Sequence, residues 1–247
     1  MKKMVRIFMV ALMVSMFATG IAYADDAVLI PITAEQAFDA YANQEDPRTG
    51  ASAVVAIVDV RTTAEYYWVG TCAQVDTILT TKGEEIIPDN GKVILRANSR
   101  ILEFEVDGEL SVLNVKHVDE IETSSIATNI PYKTWNDESC EKPLNEDFSL
   151  EIEALASKGI EVIIMMCRSG KRTCVCSECF DFSLFDAVYE IDQPDGENGR
   201  GGFQGTSYGD AYNGFRGFPG RKTSFQEHES VSWSDAGLPI HIGWCED

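Results

Sequence analysis

The run Val162-Ile-Ile-Met-Met166, entered from Glu161 and followed at once by Cys167-Arg-Ser-Gly-Lys-Arg-Thr173, constrains this chain most. A short, unbroken apolar run reads as an interior strand. It is followed by a glycine-containing loop with three cations, which cannot continue a strand. A thiol therefore heads a tight basic loop at the end of an interior strand, where α/β proteins gather their ligands. Cys167 is expected to be presented at that mouth. If the chain turns into a helix after Gly170, the first free N–H groups point back at the sulfur. Together with Arg168, Lys171 and Arg172 they favour S⁻ over SH. The plainer reading is an ordinary buried cysteine, a common fate for that residue; three neighbouring cations weigh against it.

Local signals place the elements around this strand. Thr33 with Gln36, and Thr62 with Glu65, have the spacing of a capping box, so helices are expected to open at Ala34 and Thr63. Between them Val54 to Val60 reads as a strand, reached through a loop that carries Asp46-Pro47 and Thr49-Gly50. Ile101 to Val106 and Glu109 to Val115 alternate apolar and polar residues around Asp107-Gly108, a hairpin signal. Lys92 to Ala97 supplies a third strand of a small antiparallel flap. Leu150 to Lys158 has helical spacing and stops at Gly159.

Met1 to Ala24 reads as a cleavable leader: Lys2, Lys3 and Arg6 precede an apolar stretch from Ile7 to Ala22, and Ala22-Tyr23-Ala24 is a cleavage site. The expected mature chain starts at Asp25, which offers no lipid attachment, and is exported to the periplasm or secreted. It would keep 223 of the 247 residues, one domain spanning 25–247, and its net charge would fall from −20 to −23 because the leader holds three cations. Such acidity argues against nucleic acid and anionic membranes as partners, and makes the cationic loop a local exception. All seven cysteines (72, 140, 167, 174, 176, 179 and 245) lie beyond the leader, and an odd number leaves a thiol over in an oxidising compartment.

Five blocks in order resemble the rhodanese-like family. Val54-Val-Ala-Ile-Val-Asp-Val-Arg61 with Glu65-Tyr66 and Gly70 is similar to its first block, and Ala127-Thr-Asn-Ile-Pro131 to its second. Cys167 to Thr173 looks like its active-site loop, Phe185 to Ile191 like the next strand, and Trp233-Ser-Asp-Ala-Gly-Leu-Pro239 like its closing motif. The resemblance implies a central, mostly parallel sheet flanked by helices. It also marks two insertions, a β-rich one at about residues 71–126 and one at about 192–231, rich in glycine and aromatics, which reads as an ordered lid or as a linker.

The chemistry implied is sulfurtransfer. Cys167 attacks the outer sulfur of a small anionic donor, thiosulfate or a polysulfide, and keeps it as a persulfide until a thiol acceptor or protein partner removes it. Arg168, Ser169, Gly170, Lys171, Arg172 and Thr173 would bind the donor; Arg172 supplies field or a structural ion pair. No metal and no organic cofactor is required. The alternative is a non-enzymatic carrier of sulfane sulfur or of redox equivalents to a protein partner. Cysteine phosphatases use a related loop, but place an arginine six residues after the cysteine, where this chain has Thr173.

The remaining cysteines admit several readings. Cys72 with Cys140 is the favoured disulfide, while Cys174, Cys176 and Cys179 fit a disulfide, buried thiols, a resolving thiol or a metal site. Asp59, Arg61 and Glu65 read as structural groups, with Arg61 and Glu65 as an ion pair across a helix start.

Overall fold

The computed structural model describes residues 29–96, 100–134, 142–168, 171–191, 233 and 236–241. The expected leader, Cys140, the 192–231 insertion, Ser169 and Gly170 lie outside the described residues.

Both capping boxes form. Thr33 and Thr62 accept the N–H of Gln36 and Glu65, whose side chains return to the cap N–H groups. They open α1 (Ala34–Asn43) and α2 (Thr63–Val69) at the expected residues. Two further helices follow, α3 (Phe148–Ser157) and α4 (Lys171–Cys176). α3 stops where Gly159 takes φ +84°, and its N–H closes on Ala156 O.

The central sheet has five parallel strands: β1 (Ile30–Ile32), β2 (Val55–Asp59), β9 (Ala127–Asn129), β10 (Val162–Met166) and β11 (Ala187–Ile191), in the order β1-β11-β10-β2-β9. The apolar run Val162–Met166 is the middle strand, buried at every position. Its side chains alternate between two cores, as a pleated strand requires. Val162, Ile164 and Met166 face Phe38, Cys72, Trp233 and Leu238, whereas Ile163, Met165 and Cys167 face Phe148, Ile152, Cys176 and Phe185. The protein is thus α/β, with helices packed on a mostly parallel sheet.

The first insertion is larger than a flap. The expected hairpin is present as β6 (Ile101–Val106) and β7 (Glu109–Asn114), with Asp107 and Gly108 at φ +55° and +75°, the left-handed pair a two-residue turn needs. β5 (Val93–Arg96) pairs with β6 as expected. Beside this sheet stand β3 (Thr71–Thr80), β4 (Glu85–Ile86) and β8 (Val118–Ser125), antiparallel, with β12 (Ile240–His241) added at the far edge of β3. Val75, Ile78, Val93, Leu102, Phe104, Val118 and Ile121 give the two sheets a core of their own.

The segment ending in β12 ties this unit to the main core. Trp233 is fully buried against Phe38, and its indole N–H donates to Pro239 O at 2.7 Å. Gly237, at φ +71°, receives the Leu95 N–H at 2.9 Å, and a Cβ on it would lie 2.3 Å from Leu95 O. Gly237→Ala is therefore expected to lower stability by about 1–3 kcal/mol, read as an earlier urea midpoint. An unchanged midpoint would show that β5 yields without cost.

Candidate active site

Strand ends and helix starts converge at the carboxyl edge of β10 and β2. The two strands stay joined past their ends, because Val60 N–H donates to Met166 O at 2.9 Å. Cys167 leaves β10 there, and its Sγ accepts the Arg172 backbone N–H at 3.3 Å. The amide belongs to the first turn of α4, so the expected inward-pointing donor is present.

The surroundings of the sulfur differ from the expectation of an open mouth. Cys167 is 1% exposed, packed with Val58, Val60, Ile130 and Cys176. The reason is the pleat: position 167 continues the alternation of Ile163 and Met165 into the α3-side core.

Arg172 is held from a distance of 107 residues in sequence. Its guanidinium donates to both Glu65 carboxylate oxygens at 2.6 and 2.7 Å. Glu65 is also the capping-box residue of α2, accepting from the Thr62 N–H and hydroxyl. One carboxylate thereby fixes the start of α2 and the residue whose amide faces Cys167. The expected Arg61–Glu65 pair is corrected by this. Arg61 instead pairs with Asp59, a buried contact of 2.6 Å, and donates to Gly70 O. Asn129 completes the corner, its amide N–H donating to Asp59 O and Arg61 O at 2.9 and 3.0 Å.

Burial raises the Glu65 carboxyl, but the Arg172 hydrogen bonds and charge outweigh it, and with Thr62 they bring it from 4.5 to about 2. A carboxyl depressed on folding stabilises fully above its unfolded value, and that stability is lost as pH falls toward about 2. Denaturant midpoints measured from neutral to acid pH are expected to drop more steeply for wild type than for Glu65→Gln. Parallel curves would mean the pair contributes nothing to folding.

The other loop residues are placed as follows. Arg168 is half-buried beside Cys167. Lys171 opens α4, its side chain lying outside the described ones. Thr173 is fully buried and its hydroxyl donates to Glu190 on β11, so that donor faces the sheet rather than the loop mouth.

Cys72, Cys176 and Cys179 are free thiols, which removes the expected Cys72–Cys140 disulfide. Cys72 points into the core behind β10, where its S–H donates to Met166 Sδ at 3.3 Å, and burial, then the Asp59 carboxylate, push its thiol up. Among the described residues no group of three or more potential ligands could hold a metal, and no helix is long and apolar enough to cross a membrane. His241 Nδ1 lies 2.8 Å from Thr123 O, a structural contact.

The fold and site thus define an α/β protein with a thiol-headed loop at the end of its central strand. No family model, curated protein or solved structure matches the chain.

Proposed function

We propose that this chain is a rhodanese-type sulfurtransferase in which Cys167 takes sulfane sulfur from thiosulfate or a polysulfide and passes it to a thiol acceptor. The observation that carries the reading is the Arg172 N–H aimed at Cys167 Sγ at 3.3 Å, at the end of the middle strand. A fixed amide donor stabilises negative charge on sulfur, both in the attacking thiolate and in the persulfide that replaces it. Arg172 pairs with Glu65, and this reading gives recognition of the donor's charge to Arg168 and Lys171, the other two cations of the loop. The apolar leader adds export to the periplasm or the medium to this reading, and the net charge of −20 suits neither nucleic acid nor an anionic membrane as partner.

Arg168→Ala is expected to weaken use of thiosulfate by roughly ten- to a hundredfold while sparing a neutral persulfide donor, since a charge-assisted contact of about 1.5–3 kcal/mol is lost only with the anion. Steady-state kinetics with both donors read this. Equal loss with both would place Arg168 in the support of the loop.

Burial of Cys167 to 1% exposure favours one second reading, a carrier that keeps its sulfur until a protein partner opens the loop. Repeated turnover with thiosulfate and a small thiol supports the enzyme. Loading of one equivalent without turnover supports the carrier.

A further inference from the structure

Two further thiols, Cys176 and Cys179, take no part in forming a persulfide at Cys167. Cys176 ends α4, fully buried in the same apolar core as Cys167, with its S–H donating to Thr173 O at 3.4 Å. The chain then tightens into the 3₁₀ turn Ser177–Cys179, which ends in the exposed Cys179. Residues three apart in such a turn lie on one side, within the roughly 4.4–6.8 Å between Cα atoms that a disulfide spans. Burial, then the nearby Cys179, push up the phenol of Tyr132, which lies at the end of the segment leaving β9. The sequence Cys176-Ser-Glu-Cys179 therefore runs from the buried neighbour of Cys167 to the surface.

We propose that Cys176 and Cys179 form a redox-active dithiol that reduces the sulfane sulfur carried by Cys167 and releases it as sulfide; the inference rests on the persulfide reading of Cys167. Cys176 attacks the outer persulfide sulfur, the old S–S bond breaks, and the proton of Cys176 passes to the departing Cys167 sulfur. Cys179 then attacks Cys176 Sγ, forming the Cys176–Cys179 disulfide and expelling hydrosulfide, which takes the Cys179 proton. The sulfane sulfur gains two electrons and the two thiols lose one each. A dithiol from solution resets the pair at the exposed Cys179. Burial, then the nearby Cys167 and Cys179, hold the proton on Cys176, so the pair stays reduced until the departing Cys167 sulfur arrives as the base.

The test loads the full chain with thiosulfate without added thiol, then measures sulfide release and alkylates the protein for mass mapping. Wild type and Cys174→Ser are expected to release one equivalent of sulfide and to carry an alkylation-resistant pair in tryptic segment 173–200, the segment that holds Cys176 and Cys179. Cys176→Ser is expected to keep the sulfur on Cys167, and the exposed-site variant Cys179→Ser to keep it as a persulfide on Cys167 or Cys176, so that neither releases sulfide. If Cys167 loads but Cys179→Ser releases sulfide as fast as wild type, the dithiol is overturned and the sulfurtransferase reading stands. If Cys167 does not load at all, both fall.

Discussion

Replacing Cys167 by serine is expected to bring sulfur transfer from thiosulfate to the uncatalysed background, a loss on the order of 10³-fold or more, as removal of a nucleophile does in enzymes whose residues act as a unit. Serine accepts the Arg172 N–H as the thiol does, so the loop keeps its shape. It cannot form the S–S bond in which the sulfur is held. The side chain is nearly isosteric and is already surrounded by Val58, Val60 and Ile130, so the cost of burying a hydroxyl there is expected to stay at about 1–3 kcal/mol. Activity and stability together discriminate. Loss of turnover in a folded variant supports nucleophilic Cys167, whereas near-normal turnover would move the chemistry to another thiol, with Cys179 the exposed candidate.

The largest expected effect on folding is at the Asp59–Arg61 pair. Both side chains are at most 1% exposed, and Arg61 donates from Nε and from a terminal nitrogen to the carboxylate as well as to Gly70 O. Burial pulls the guanidinium down, but Asp59 outweighs it and holds it above its ordinary value. Removing one partner of such a pair strands the other charge away from water, at a cost of about 3–5 kcal/mol. Asp59→Asn and Arg61→Met are each expected to show that loss in denaturant unfolding. Replacing both at once is expected to recover a large part of it, because no uncompensated charge remains. Additive losses in the double variant would mean that the pair holds the β2 corner through geometry, and that Asn129 alone cannot.

The parts of the fold written in short-range signals were legible in the sequence. Thr62 and Glu65 stand three residues apart and cap α2 as their types dictate; Asp107-Gly108 turns the β6–β7 hairpin through its own backbone preferences. The long antiparallel pair β3–β8 was not legible. Thr71–Thr80 mixes apolar and polar residues and slips register between Val75 and Thr77, which breaks the period-2 pattern a strand otherwise shows. Its burial comes from β5, β6 and β8, which no local window contains.

The same distinction holds at the site. The cationic loop and its thiol stand out from seven consecutive residues. The partner of Arg172 is Glu65, 107 residues earlier, and the contact of Cys72 with Met166 spans 94 residues. Neither has a spacing to read. Burial of Cys167 was available in the alternation of the strand before it, since Ile163 and Met165 point the way for position 167; the three cations nearby drew the reading toward exposure instead.

Intact-mass measurement after incubation with thiosulfate tests the central claim most directly. With excess thiosulfate and no added thiol, wild type is expected to hold one sulfur atom once the Cys176–Cys179 dithiol has been spent, removable by a small thiol, and fragmentation is expected to place it on Cys167. Cys167→Ser is expected to gain none. Equal gain in the serine variant, or no gain in wild type, contradicts sulfur transfer through Cys167.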